Sequence, residues 1–301
     1  FMIDVPVVFI CFNRLKLIKT TFLKIAKQKP QTLYIIMDGP RSSVSTDKRK
    51  ILNIQKFIKK SINWNCNVFE IYSKKNLGLK NRIVTGLNEV FKKNKNAIVL
   101  EEDCLPHEDF FFFCQNILEE YKKNDKVKFI TGNNFQKKQQ NFIDDYYFSK
   151  YSHIWGWACN NKLWKEINFN HSYWEKYLSS NEFRCFFEFD EEYRYWIKTF
   201  DLIGKGRQAS WSIYLLLTMW KKKYLTVTPN INLVQNLGLN SGTNTKSLNL
   251  ETKLSQLKLN KPLIHPKILD RDVKKDKYVY KHVYQYSLLK KIINKMISFS
   301  K

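Results

Sequence analysis

Glu101, Glu102 and Asp103 stand in a row between the apolar run 97–100 and Cys104-Leu105-Pro106. Three adjacent carboxylates repel one another, and they persist where water solvates them or a cation compensates. The apolar run before them and the phenylalanines at 110–113 after them argue against an open acidic loop. A hard divalent ion, Mn2+ or Mg2+, takes oxygen ligands and keeps positions open for phosphate oxygens. The triplet therefore predicts a metal-assisted site for a diphosphate, with the carboxylates at the end of a buried strand.

The elements that must position such a site read in order. Residues 5–12 (VPVVFICF) form a short, continuous, β-branched and aromatic run, the pattern of a strand buried on both faces. Residues 15–29 have apolar positions at helical spacing. A second buried strand covers 32–37 and stops at Asp38-Gly39-Pro40. A helix follows over 47–62, a strand over 67–72, a helix over 76–95 starting near Leu79, and a strand over 97–100. This alternation predicts an α/β fold with a doubly wound, mainly parallel sheet. Ligands of such sheets bind beyond the carboxyl ends of the strands. Those ends carry Asn13-Arg14, Asp38-Gly39 and Glu101-Glu102-Asp103, so three polar clusters are expected on one edge. Neither GxGxxG nor GxxxxGK[ST] occurs.

Further on, 127–131 reads as a strand, 136–210 as an irregular aromatic-rich half closing over the site, and 210–221 as a helix. Residues 225–229 and 232–234 read as short extended pieces, and 240–280 as a polar surface wrap. The predicted organisation is a first half at 2–135, a second half of the same domain at 136–245, and a basic extension at 246–301. That extension ends in an amphipathic helix with apolar Leu288, Leu289, Ile292, Ile293, Met296 and Ile297 among Lys290, Lys291 and Lys295. Residues 286–299 suit a membrane interface or a docked terminal helix.

The net charge is +25, unevenly spread. Residues 1–100 hold 20 basic against 5 acidic residues, 101–200 hold 13 against 17, and 201–301 hold 19 against 5. An acidic centre repels a phosphate backbone and no base-reading motif accompanies the charge, so nucleic acid is not an expected partner. No run reaches the roughly 18 apolar residues of a membrane span, and 5–12 lacks the basic leader of a signal peptide. The six cysteines include no CxxC pair and read as reduced. The expected location is cytoplasmic, peripheral on the inner membrane face.

The segment 97–106 with 110–113 resembles the acidic metal motif of GT-A glycosyltransferases, most closely the N-acetylglucosaminyltransferase-I-like group and its bacterial relatives of surface polysaccharide synthesis. The resemblance spans roughly residues 5–245 and implies that 2–135 is the nucleotide-sugar-binding half and 136–245 the acceptor-binding half. It extends to 7–14, to Asp38-Gly39-Pro40-Arg41, to Asn76-Leu77-Gly78-Leu79-Lys80, to the tryptophan turn His153-Ile154-Trp155-Gly156-Trp157, and to 228–238. It implies a metal on Asp103, Glu102 against the sugar of a UDP- or dTDP-type donor, and Asp38 on the edge of the base. Asn13, Arg14, Gly39, Asn76, Gly78, Lys80, Arg82 and Glu101 join the donor-binding set. Trp155, Gly156 and Trp157 would line the pocket for sugar rings.

Inverting transfer also needs a carboxylate near the acceptor hydroxyl. The resemblance places that aspartate where this chain has Ser212, and a histidine where it has Asn244. Asp190, Glu191, Glu192 and Asp201 are the carboxylates left as base candidates. The predicted activity is metal-assisted sugar transfer to a surface glycan or lipid-linked saccharide. The alternatives are an inactive transferase fold kept for glycan or membrane binding, and a nucleotidyltransferase.

Overall fold

The structure is a computed structural model that describes residues 2–137, 143–206, 210–238 and 253–285. Its first half alternates β1 (Val7–Cys11), α1 (Leu15–Gln28), β2 (Thr32–Met37), α2 (Asp47–Ser61), β3 (Asn67–Tyr72), α3 (Leu79–Lys93) and β4 (Asn96–Glu101). Next come β5 (Cys104–Pro106), α4 (Phe110–Glu120), β6 (Val127–Thr131), β7 (Tyr146–Ser149) and β8 (Trp157–Asn160). The remainder is α5 (Asn161–Glu166), α6 (His171–Leu178), α7 (Asn181–Cys185), α8 (Asp190–Gly204), α9 (Ser212–Lys221), β9 (Leu225–Pro229), β10 (Val234–Asn236) and α10 (Val273–Val279), which runs on into the wider turn Tyr280–Gln285.

Eight strands form one sheet in the order β3-β2-β1-β4-β8-β6-β9-β7. β3, β2, β1 and β4 are parallel, and β6 is parallel to β9. β8 is antiparallel to both its neighbours, and β7 to β9. Six strands thus point one way, as in a doubly wound, mainly parallel α/β sheet. β5 and β10 pair in a separate two-stranded ribbon.

Alternation along β1 divides the core. Val7 and Phe9 face α1, α2 and α4; Val8 and Ile10 face α3 and the α8–α9 layer. Phe9 and Phe22 are both fully buried, with ring centroids 5.5 Å apart. Burying each ring contributes roughly 1.5–3 kcal/mol.

The structure corrects two expectations. Residues 161–204, read as irregular, are mostly helical. α5, α6 and α7 are five to eight residues long, too short to display apolar periodicity. Their signal was capping: Asn160, Asn170 and Ser180 each accept a backbone N–H of the first turn. The described part of 240–280 is also more than a surface wrap. Leu259 and Leu263 are buried in the core on the α4 face, and Val279 on the other. Asn244 and the amphipathic segment 286–299 lie outside the described residues. Among the described residues no helix is long and apolar enough to cross a membrane.

Candidate active site

β2, β1 and β4 are adjacent and parallel, so the segments that leave their carboxyl ends meet side by side. Between them lies a cavity of about 320 Å3, lined among others by Phe12, Asn13, Arg14, Asp38, Asn76, Gly78, Arg82, Glu101 and Glu102. Each of the three predicted clusters contributes to it, through Asn13 and Arg14, Asp38, and Glu101 and Glu102, while Gly39 and Asp103 are not part of its lining.

Glu102 is 5% exposed. Its carboxylate accepts the Phe12 N–H at 2.6 Å and the Nε–H of Arg14. Its carbonyl accepts the hydroxyl of Thr21 at 2.9 Å, which ties the turn to α1. Arg14 Nη2 donates to Asp103 Oδ2 at 2.9 Å. Burial pushes the Glu102 carboxyl up, against the pull of Arg14. Burial and the two neighbouring carboxylates push Glu101 up to about 8. One guanidinium, 38% exposed, thus pairs with two carboxylates, and the negative charge left over is one that a divalent cation would relieve. A diphosphate that engages Arg14 must compete with the carboxylates already on it.

Asp38 serves the loop ahead of α3. Its carboxylate accepts the N–H of Gly39, of Leu77 and of Gly78, each at 2.9 Å. Asn76 Nδ2 donates to the Gly39 carbonyl at 2.9 Å. Gly78 has φ +77°, a left-handed conformation that glycine adopts without steric cost. The structure thus uses Asp38 to shape the turn, where the sequence suggests a base reader. One turn into α3, the Arg82 side chain is buried, and its Nε and Nη2 have no hydrogen-bond partner. Burial lowers its pKa, opposed by Asp38. Unpaired guanidinium N–H groups are costly when buried, and an anion in the cavity could pair with them. Lys80 turns elsewhere, with Nζ 4.6 Å from the Tyr214 ring centroid and 3.4 Å from the Phe169 carbonyl. Asn13 donates to Asp47 at 2.8 Å, and Asp47 also receives both arms of Arg41, at 2.7 and 3.0 Å. Arg41 holds the buried Asp47 carboxyl well below the usual range and lies 5.4 Å from the Phe12 ring centroid.

The far side of Asp103 is formed by β10. Its carbonyl accepts the Leu237 N–H at 2.7 Å. A Cβ on Gly238 would lie 2.5 Å from Asp103 Oδ2, so a larger residue there would displace that carboxylate. Sequence reasoning saw 228–238 only as a closing segment; the contact depends on the β5–β10 pairing, which has no local signature. Gly156 accepts the Gly132 N–H at 2.7 Å. Trp155 is half-buried, edge-on to Phe135 at 5.1 Å. Trp157 is 1% exposed and stacks on Phe129 and Trp164 at 5.4 and 6.2 Å. It is core, which corrects its expected place in a sugar-facing wall.

The four base candidates all sit on α8, and none lines the cavity. Glu192 is buried, 2.9 Å from Lys150 Nζ, and accepts from the Tyr151 hydroxyl. Lys150 also meets Glu188 at 3.1 Å. Lys150 follows Ser149, which pairs with Thr226 near the start of β9, so this network lies toward the edge opposite the cavity. Asp190 pairs with Arg184 and Asp201 with Lys205, both at the surface, and Glu191 is exposed. The structure thus places these carboxylates in ion pairs or solvent. The Ser212 hydroxyl bonds to that of Ser210 at 2.9 Å.

Among the described residues no three His, Cys, Asp or Glu side chains form a ready-made metal cage. A Mg2+ or Mn2+ ion shared with a diphosphate does not require one, because one or two carboxylates suffice beside phosphate oxygens and water. The part-exposed Asp103, next to Glu101, fits that donor set.

No protein-family model matches the chain, and no curated protein does. Solved structures are similar at low identity. One is the mannosyltransferase PcManGT of Pyrobaculum calidifontis in complex with GDP-Man and Mn2+, at 10% identity and TM-score 0.40 over 74% of this chain and 70% of that one. Another is TarS 1–349 of S. aureus, at 12% and 0.40 over 73% and 71%. A third is the 4-diphosphocytidyl-2C-methyl-D-erythritol synthase of Anaerococcus prevotii, at 15% and 0.34 over 59% and 78%. At these values none of them decides the activity.

Proposed function

We propose that the chain is a glycosyltransferase of GT-A type that moves a sugar from a nucleotide-diphosphate donor, preferably a UDP-sugar, to a hydroxyl of a surface glycan or lipid-linked saccharide. The observation that carries this reading is the incomplete pairing at the carboxyl edge of the sheet. Glu102 and Asp103 share Arg14 there beside Glu101, while Arg82 Nε and Nη2 are buried with no acceptor. A metal-bound diphosphate supplies both missing partners: a cation for the carboxylates and oxygens for Arg82.

In this reading Asp103, with Glu101 beside it, holds Mn2+ or Mg2+, which supplies charge neutralisation for the departing diphosphate. Arg82 binds phosphate oxygens from the start of α3, and Arg14 moves between its carboxylate partners and the leaving group. The bond from the anomeric carbon to the phosphate oxygen breaks, a bond to the acceptor oxygen forms, and the acceptor proton leaves to a base. In this reading the half-buried Trp155 is the aromatic side chain that would meet a sugar ring.

The test is a panel of nucleotide sugars assayed for donor breakdown with Mn2+. Release of a nucleoside diphosphate supports the reading. Release of pyrophosphate from a nucleoside triphosphate and a sugar phosphate assigns nucleotidyl transfer instead. Donor binding without turnover leaves an inactive binding module.

A further inference from the structure

α1 and α2 lie side by side on one face of the sheet, with Phe22 meeting Phe57 at 6.2 Å. α1 buries Ile18, Phe22 and Ile25, and α2 buries Ile51, Ile54 and Ile58. The outward sides are cationic. α1 carries four lysines and no acid; α2 carries five lysines, an arginine and a single acid, Asp47. Asp47 is buried and occupied by Arg41 and Asn13, so neither helix turns a carboxylate outward. Lys19, Lys24, Lys27, Arg49, Lys56 and Lys60 are all exposed. Two leucines stand among them, Leu23 at 55% and Leu52 at 47% exposure. Leu23 has Lys19 and Lys27 one turn to either side, and Leu52 has Arg49 and Lys56, so each leucine shares a helix face with the cations.

We propose that this outer face docks on an anionic lipid bilayer. The cations would meet lipid phosphates, each strengthening the attraction as juxtamembrane lysines do, and Leu23 and Leu52 would enter the acyl boundary. A nucleic acid would satisfy the cations but leave the leucines in water. Both helices start at the edge of the sheet where the cavity lies, α1 directly after Arg14. Docking therefore brings the cavity edge close to the lipid surface. Its usefulness for a lipid-linked acceptor rests on the proposed transfer reaction; the docking itself does not.

The experiment is co-sedimentation of the full chain with vesicles of phosphatidylcholine alone, or mixed with phosphatidylglycerol, over a salt series. Binding is expected only to the mixed vesicles and is expected to weaken steeply with salt. The variant K19Q/K24Q/K27Q/R49Q/K56Q/K60Q should partition at least ~100-fold more weakly, and L23S/L52S roughly tenfold more weakly with the salt slope unchanged. All these positions are exposed, and a retained thermal midpoint checks the fold. A K290Q/K291Q/K295Q variant separates the contribution of the C-terminal segment. Three results overturn the proposal: no wild-type binding to mixed vesicles, wild-type-like binding by the six-glutamine variant, or an L23S/L52S variant that binds unchanged while an oligonucleotide strips the wild type off.

Discussion

Two groups of carboxylates in this chain are built from the same side chains and left in different states. On the α8 side, Lys150 is enclosed between Glu188 and Glu192, and Tyr151 adds a hydrogen bond to Glu192. At the carboxyl edge, Arg14 is shared between Glu102 and Asp103, Glu101 is pushed toward neutrality, and Arg82 buries unpaired N–H groups. In the first group both glutamates meet a cation, Glu192 from Lys150 and Glu188 from Lys150 and Arg271, although Arg271 Nη1 is buried without a hydrogen-bond partner, and the network holds α8 against the end of β7. The second is left open, and an open buried polar group is tolerated where a ligand completes it.

That contrast can be broken or sharpened experimentally. The largest effect is expected from D103N, which should lower transfer at least ~10^3-fold, the scale of losing a charge-stabilising group at the leaving oxygen, with the thermal midpoint essentially kept. Next, K150M leaves Glu192 buried without its cation and should cost about 3–5 kcal/mol in denaturant titrations. Donor affinity of the folded fraction should stay as in the wild type; an equal loss of donor affinity would erase the distinction between the two groups. R82M should behave in the opposite sense. Nucleoside diphosphate binding should weaken by ~10–100-fold, the worth of hydrogen bonds to a charged group, while stability holds or rises because an unpaired buried cation is gone. A fall in stability with unchanged binding would place Arg82 with the structural group.

The last test concerns pH. His153 is packed between Phe135 and Tyr151, at 4.7 and 6.0 Å, and burial holds its pKa down to about 3. Its folded form is therefore neutral where the unfolded chain, near 6.5, takes a proton. Its contribution is fully present above about pH 6.5 and is lost as pH falls toward 3. H153Q should flatten the stability-against-pH curve in that window by up to about one proton, read from denaturation midpoints at stepped pH.

The first half of the fold was legible because its signals are local. Buried parallel strands read as unbroken apolar runs, and β2 and β3 coincide with the predicted 32–37 and 67–72. The convergence of 13–14, 38–39 and 101–103 followed from that order alone. What escaped the sequence depends on distant pairing. β8 is four residues, WACN, and becomes a strand only between β4 and β6. Gly238 reaches Asp103 only because β10 pairs with β5. The same limit applies to charge. EFDEE at 188–192 and the triplet at 101–103 look alike in one dimension, and only the three-dimensional partner, Lys150 for one and Arg14 for the other, tells them apart.

The most direct measurement is a calorimetric titration of UDP into the wild type and into D103N, each with and without Mn2+. If Asp103 anchors a metal-diphosphate site, Mn2+ tightens UDP binding to the wild type by about tenfold or more and leaves D103N unchanged. UDP binding that is absent in every condition, or equal in both proteins with and without Mn2+, contradicts the account.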